Sequence, residues 1–212
     1  MNIPTTLLFI RHGQVFNPDE IYYGKLPGFP LSRSGVSTIR NLAQALKAGE
    51  IRPDLFYYSP TQRTRQTSDI LTKMLSSGFR GIQSYPDRRL FDINNPGLEG
   101  RPFSFLSKPR EAGYEWETVS SVVNRMSSFV FSAIDHHEGQ TIGIVTHQYN
   151  IAFVLAWMQG EDFKSIKTAR DLKDPIMLEP GEAYQVQVQP SGSLIEAERI
   201  LPYESHRRSA EY

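Results

Sequence analysis

Three stretches of this sequence place cations or imidazoles directly after apolar runs. Thr6-Leu7-Leu8-Phe9-Ile10 carries no charge and runs into Arg11-His12-Gly13. Asp54 to Tyr58 runs into Ser59-Pro60-Thr61-Gln62-Arg63, and Gln140 to Thr146 runs into His147-Gln148. Apolar runs of this kind read as strands buried on both faces. In open α/β sheets, ligands bind just beyond the carboxyl ends of the strands. If the three strands are parallel neighbours, Arg11, Arg63, His12 and His147 converge on one crevice. Helix N-termini there add N–H groups and partial positive charge. Such a cluster repels itself unless an anion sits within it, and guanidinium forks match phosphate oxygens bidentately. Histidine is also a competent nucleophile toward phosphorus. One ring nitrogen must then be unprotonated while the other N–H is held, commonly by a backbone carbonyl. A leaving alkoxide needs a proton, and Asp92 in Leu90-Phe91-Asp92 is the candidate donor.

The elements that must position these residues alternate between strand and helix, the pattern of an α/β fold with a mostly parallel sheet. After strand 5–10 comes a long loop rich in Pro and Gly, from Asn17 to Pro30. Long ordered loops are often functional. Tyr22, Tyr23 and Lys25 lie in it, and lining the pocket or facing solvent are both open to them. Val36, Ile39, Leu42, Ala43 and Leu46 recur at helical spacing, with Ser34 as the expected N-cap. A strand over 54–58, a helix over about 61–76 and a short strand over 82–85 follow. Residues 86–113 are expected to be irregular, because Pro86, Pro96, Pro102 and Pro109 forbid a continuous helix. Val119, Val122, Val123, Met126, Val130 and Ile134 mark another amphipathic helix, followed by strand 140–146 and an apolar helix over 151–158. The end reads as a hairpin, 183–188 and 194–201, joined by Pro190-Ser191-Gly192-Ser193. A single domain over 1–202 with a polar tail over 203–212 is the expected organisation.

Composition narrows the function classes. Lys plus Arg and Asp plus Glu number 23 each, which argues against nucleic acid or an anionic membrane as the main partner. The absence of cysteine removes disulfides and thiolate metal sites. No basic segment followed by a long apolar core opens the chain, and no run is long enough to span a bilayer. A cytoplasmic protein acting on a small molecule is expected, with monomer and homodimer both open. Asp135-His136-His137-Glu138 looks metal-binding on paper, but it closes a helix and precedes Gly139, so an exposed helix end is expected. No metal or cofactor is anticipated.

At this point the motifs match a known family. The sequence resembles the histidine phosphatase superfamily, which includes the phosphoglycerate mutase-like phosphatases. Leu8-Phe9-Ile10-Arg11-His12-Gly13-Gln14 resembles its first signature, and Pro30-Leu31-Ser32 with Gly35 its helix entry. Ser59-Pro60-x-x-Arg63-x-x-Gln66-Thr67 resembles the second-arginine motif, and Val145-Thr146-His147 the second-histidine motif. Glu117 with Arg125 is similar to the family's Gly-Glu-Ser…Arg segment. The resemblance covers roughly residues 5–160, and several motifs in order are far more specific than one. It implies a three-layer α/β/α sandwich of the phosphoglycerate mutase-like type. It also implies a phosphohistidine intermediate on His12, with Arg11, Arg63 and His147 around the phosphoryl group and Asn17 as a pocket contact.

The chain departs from the family in two places. Gln148 stands where the family usually carries Gly, and Asp92 where it carries Glu in Leu-x-Glu. Glu99 and Glu117 therefore stand beside Asp92 as alternative proton donors. The expected activity is phosphomonoester hydrolysis on a small phosphorylated substrate. The alternatives are a cofactor-dependent phosphoglycerate mutase and a catalytically silent phosphate-binding homologue. Mutases of the family carry a longer, charge-rich insertion after the acid, which the short span between Asp92 and Glu117 disfavours.

Overall fold

The computed structural model describes residues 3–76, 81–107 and 116–203, with only the backbone of 106 and 107. Strands β1 (Thr5–Arg11), β2 (Leu55–Tyr58), β3 (Gln83–Pro86), β4 (Thr141–Thr146), β5 (Ala183–Val188) and β6 (Leu194–Ile200) form one sheet. Among the described residues its order is β3-β2-β4-β1-β5-β6. β1, β2, β3 and β4 run parallel, β5 pairs antiparallel with β1, and β6 pairs antiparallel with β5. β4 thus lies between β1 and β2, with Arg11 beside Thr146 and Tyr58 beside Val145. That register brings the three motif-bearing strand ends together.

Helices cover both faces. α1 (Arg33–Ala48) and α2 (Gln62–Leu75) pack on one side, α3 (Val119–His136) and α4 (Gln148–Met158) on the other. The twofold alternation of β1 serves both layers: Leu8 and Ile10 enter the core beneath α1 and α2, Leu7 and Phe9 the core beneath α3 and α4. All four are wholly buried, each contributing roughly 1.5–3 kcal/mol relative to an exposed position. β4 uses Gly143 for close packing, because a Cβ there would meet the Phe56 ring at 2.2 Å.

The differences from the sequence reading lie at element ends. α1 is capped by Ser32, not Ser34: the Ser32 hydroxyl accepts the Gly35 N–H at 3.0 Å, while Ser34 Oγ donates to Gln14 Oε1 at 2.5 Å. α4 begins at Gln148, immediately after His147, rather than at Ile151. The described part of 86–113 holds only two short 3-10 turns, Arg88–Leu90 and Phe103–Ser107. Residues 204–212, nearly all of the expected tail, lie outside the described residues. No helix among the described residues is long and apolar enough to cross a membrane.

Candidate active site

β1 delivers Arg11 and His12 to the end of the sheet, and the next residue must pass very close to α1. A Cβ on Gly13 would come within 2.8 Å of the Gly35 carbonyl oxygen, and one on Gly35 within 2.2 Å of the Gln14 oxygen. Two glycines facing each other let this turn seat on the helix entry. α2 fixes the same turn from the other side. Thr67 Oγ1 accepts the Gly13 N–H at 3.3 Å, and Gln66 Oε1 accepts the Leu31 N–H at 2.8 Å.

His12 is buried, and its Nδ1 lies 2.8 Å from the Gly13 carbonyl oxygen. A carbonyl only accepts, so Nδ1 carries the proton and Nε2 keeps its lone pair. Arg63 Nε–H donates to that Nε2 at 3.3 Å, which requires the same tautomer. Burial pushes the His12 pKa well below the ordinary histidine range, and the neighbouring His147 and the Arg63 charge push it further. His12 is therefore a neutral imidazole at physiological pH, with Nε2 available.

Arg63, at the first turn of α2, is the hub. It is 1 % exposed. Its Nη2 donates to the Gly24 carbonyl at 2.9 Å, to Asp92 Oδ2 at 3.0 Å and to His147 Nδ1 at 3.2 Å. The Tyr23 ring lies 4.7 Å from its guanidinium carbon and stacks in turn on Phe29. His147, at the end of β4, sits with its ring centroid 5.3 Å from that of His12, nearly edge-on. Its Nε2 donates to Ser59 Oγ at 2.8 Å, leaving Nδ1 to accept from Arg63. Burial, followed by the charges of Arg63, Arg125, Arg11 and Lys25, holds its pKa well below the histidine range. The 3.4 Å approach of Asp92 Oδ2 to His147 Nδ1 is therefore a contact with a neutral ring, not an ion pair.

Arg11 Nη1 donates to the Leu178 carbonyl at 2.5 Å, and its buried Nε has no hydrogen-bond partner among the described residues. Burial lowers the Arg11 pKa, partly offset by Glu179, but a guanidinium remains charged in either case. A buried orphan donor costs about 1–3 kcal/mol, a cost proteins bear where a ligand supplies the acceptor. Gln148 explains its departure from glycine. Its buried amide accepts the Leu178 N–H at 2.8 Å and donates to the Ile176 carbonyl at 3.3 Å, clamping the segment that Arg11 leans on.

The three carboxylates separate clearly. Asp92 touches Arg63 and His147 and is the one these contacts bring to the histidines. Glu117 Oε1 lies 2.7 Å from Arg125 Nε and its Oε2 accepts the Asn94 N–H. Burial pushes the Glu117 carboxyl up, but the Arg125 contact and charge and the Asn94 N–H outweigh it and hold it low. Its carboxylate is thus engaged by Arg125 and the Asn94 N–H. Glu99 Oε1 accepts the Lys25 N–H at 2.7 Å and so fastens the long first loop. Asn17 is likewise engaged in that loop: its amide bonds both backbone groups of Ile21, at 2.9 and 3.3 Å.

Asn150 was not singled out by sequence, yet it holds Asp92 in place. It is wholly buried, donates to the Phe91 carbonyl at 2.8 Å and the Leu90 carbonyl at 3.2 Å, and accepts from Arg125 at 3.2 Å. Arg125 also donates to the Arg89 carbonyl at 2.5 Å. A polar residue three positions after His147, just before a run that is apolar from Ile151 on, was the available signal. At the far end of α3, Asp135 and His136 are exposed, His137 faces the Tyr57 hydroxyl at 2.9 Å, and Glu138 accepts the Ile3 N–H. No group of three or more His, Cys, Asp or Glu among the described residues is arranged to hold a metal ion.

The uncharacterized protein Rv0525 of Mycobacterium tuberculosis is 26% identical over 164 residues, covering 74% of this chain and 80% of the relative. Phosphoserine phosphatase 1 of Hydrogenobacter thermophilus is 25% identical over 170 residues, covering 74% of this chain and 77% of that one. Among solved structures, Bacillus stearothermophilus YhfR superposes with a TM-score of 0.72 at 23% identity, over 90% of this chain and 94% of its own. The two histidines, two arginines and their strand-end placement thus come with a match, over residues 7–171, to the family model of branch 1 of the histidine phosphatase superfamily, and the chain belongs to that family.

Proposed function

We propose that this chain is a phosphomonoester hydrolase acting through a phosphohistidine on His12. The observation that carries the reading is the Arg63 guanidinium, which reaches His12 Nε2, His147 Nδ1 and Asp92 at once. The attacking nitrogen, the charge that receives the phosphoryl oxygens and a proton donor then share one centre.

In this mechanism the His12 Nε2 lone pair attacks phosphorus as the bond from phosphorus to the ester oxygen breaks. The Nδ1–H stays on the Gly13 carbonyl, which fixes the ring and supports the charge it develops. Arg63 and the free donor of Arg11 take the equatorial oxygens. A phosphate dianion reverses the balance that keeps His147 neutral, and a protonated Nδ1 becomes a further donor. Asp92 gives its proton to the leaving oxygen. Water then attacks the phosphohistidine, Asp92 accepts the proton that water loses, and inorganic phosphate departs with His12 restored. Asn17 is assigned to the loop that closes the pocket.

Phosphoserine phosphatase 1 is named for the same class of reaction, which supports carrying it to this chain. A mutase would use the same residues but return the phosphoryl group to another hydroxyl. The test is a screen of phosphorylated metabolites for release of inorganic phosphate, with mutase activity on 3-phosphoglycerate assayed alongside. Phosphate release with no exchange between hydroxyls is expected. Exchange without release would make the chain a mutase, and neither would make it a silent homologue.

A further inference from the structure

The Arg63 guanidinium is held within its own plane by hydrogen bonds and from above by an aromatic ring. The bonds it donates to described residues leave from Nε and Nη2, to His12, Gly24, Asp92 and His147. Three of these four partners take part in the proposed chemistry. His12 Nε2 gives its lone pair to phosphorus, His147 Nδ1 accepts nothing once it is protonated, and Asp92 serves the leaving oxygen. The Gly24 carbonyl, 2.9 Å from Nη2, and the Tyr23 ring, 4.7 Å from the guanidinium carbon, stand outside that chemistry.

The first loop supplies both, and its contacts keep them still. Gly24 has a φ of +38°, and a Cβ there would meet Glu99 Oε1 at 2.5 Å, so the chain turns tightly beside Arg63. The Tyr23 carbonyl accepts the Leu26 N–H at 2.6 Å. The Tyr23 ring stacks on Phe29, with centroids 5.1 Å apart and planes inclined by 26°. Two residues beyond Phe29, Leu31 donates its N–H to Gln66, one turn along α2 from Arg63. The ring pair is thus anchored to the helix that carries the guanidinium. Tyr23 stays a neutral phenol, because burial raises its pKa more than the Arg63 charge lowers it. The face of a neutral aromatic ring attracts a guanidinium, most strongly where both are desolvated.

We infer that Tyr23 is a positioning residue for phosphoryl transfer: its π face keeps the Arg63 guanidinium in the plane that meets the equatorial oxygens after the substrate has broken the other contacts. This rests on the hydrolase reading, which supplies the breaking of those contacts. A charge alone attracts a phosphate dianion in any pose, whereas the equatorial oxygens of the transition state need a fixed fork. The contribution of Tyr23 therefore shows in kcat more than in KM.

Varying the electron density of the ring while keeping its shape tests this. Position 23 is filled with phenylalanine, and with phenylalanine bearing one, two and three ring fluorines, which drain the π face stepwise. p-Nitrophenyl phosphate is the substrate, because its anion leaves without a proton and its turnover reads the phosphoryl side alone. Tyr23→Phe should keep kcat within about threefold of the wild type, while the trifluoro form loses about fivefold or more against Tyr23→Phe at nearly constant KM. Tyr23→Leu, which removes the ring, should lose about tenfold in kcat. A flat fluorine series, or a loss in Tyr23→Phe as large as in Tyr23→Leu, overturns the inference, since packing or the hydroxyl would then carry the effect. If the wild type releases phosphate from no ester, the hydrolase reading fails by itself. The series is then read as affinity for orthovanadate, which takes the trigonal-bipyramidal geometry, by calorimetry. A graded loss there upholds the role of Tyr23, and a flat series overturns it.

Discussion

Arg63 Nε–H points at His12 Nε2 from 3.3 Å. The contact is long for a hydrogen bond, so it is a weak one that the Arg63 N–H can exchange for a phosphoryl oxygen. It also keeps a positive charge beside the imidazole, which favours the neutral ring that attack requires.

That geometry makes Arg63 irreplaceable by lysine. A lysine retains the charge but cannot reach the Gly24 carbonyl, His147, Asp92 and a phosphoryl oxygen from one planar group. Loss of one oxyanion-type contact costs on the order of 3 kcal/mol, so Arg63→Lys should lower kcat/KM roughly a hundredfold. Steady-state kinetics check this, with thermal melting to confirm folding. Near-full activity would remove Arg63 from contact with the phosphoryl group.

Asp92 is expected to matter in proportion to the basicity of the leaving group. Asp92→Asn should depress turnover of an alkyl phosphate far more than of p-nitrophenyl phosphate, whose anion leaves without help. Glu117→Gln should show no such asymmetry, because Glu117 is locked on Arg125. Running Asp92→Asn, Glu99→Gln and Glu117→Gln in parallel assigns the donor. An asymmetric defect confined to Glu99→Gln would move the role there.

Asn150→Ala should reproduce that asymmetry in weaker form. The change strips the Leu90 and Phe91 carbonyls of a donor and leaves Arg125 one partner short, at a cost of about 1–3 kcal/mol in stability. Asp92 loses its fixed pose, while Arg63 and His12 keep theirs. Equal losses on alkyl and aryl esters would mean that Asn150 only stabilises the fold.

The motif-bearing strands and the two arginines and two histidines of the pocket were legible because continuous apolar runs end just before them, whereas the order of strands was not, and the layers followed only from the family resemblance. What was not legible is carried by irregular backbone. Tyr23 on Arg63, Gln148 on Leu178 and Glu99 on Lys25 join segments far apart in sequence. No periodicity encodes such contacts, since each depends on how loops fold over the finished sheet. The cap of α1 differs from the expected Ser34 for a local reason. Ser32 and Ser34 have the same chemistry, and Gln14, from another loop, decides between them. The donor was ambiguous because Asp92, Glu99 and Glu117 all stood as candidates in sequence, and only packing gives Glu117 to Arg125 and brings Asp92 to Arg63.

Two buried neutral histidines set the direction of the pH dependence. Both have folded pKa values well below the unfolded value of about 6.5. As pH falls below about 6.5, the unfolded chain takes up protons that the folded pocket refuses, so stability falls with pH across that window. The melting temperature should drop between pH 7.5 and 5.5 and recover when inorganic phosphate is added, since an anion binds the folded state and favours protonated imidazole. A melting temperature that does not fall between pH 7.5 and 5.5 would contradict the neutral assignment of the pair, and one that phosphate does not restore would contradict anion binding beside it.

The central claim is that His12 carries the phosphoryl group. Acid-quench trapping after mixing with radiolabelled substrate tests it most directly, with digestion to locate the label. An acid-labile, base-stable adduct on the peptide containing His12 is predicted for the wild type, and none for a folded His12→Ala protein. An adduct that persists in His12→Ala, or turnover that survives the substitution, would contradict the account.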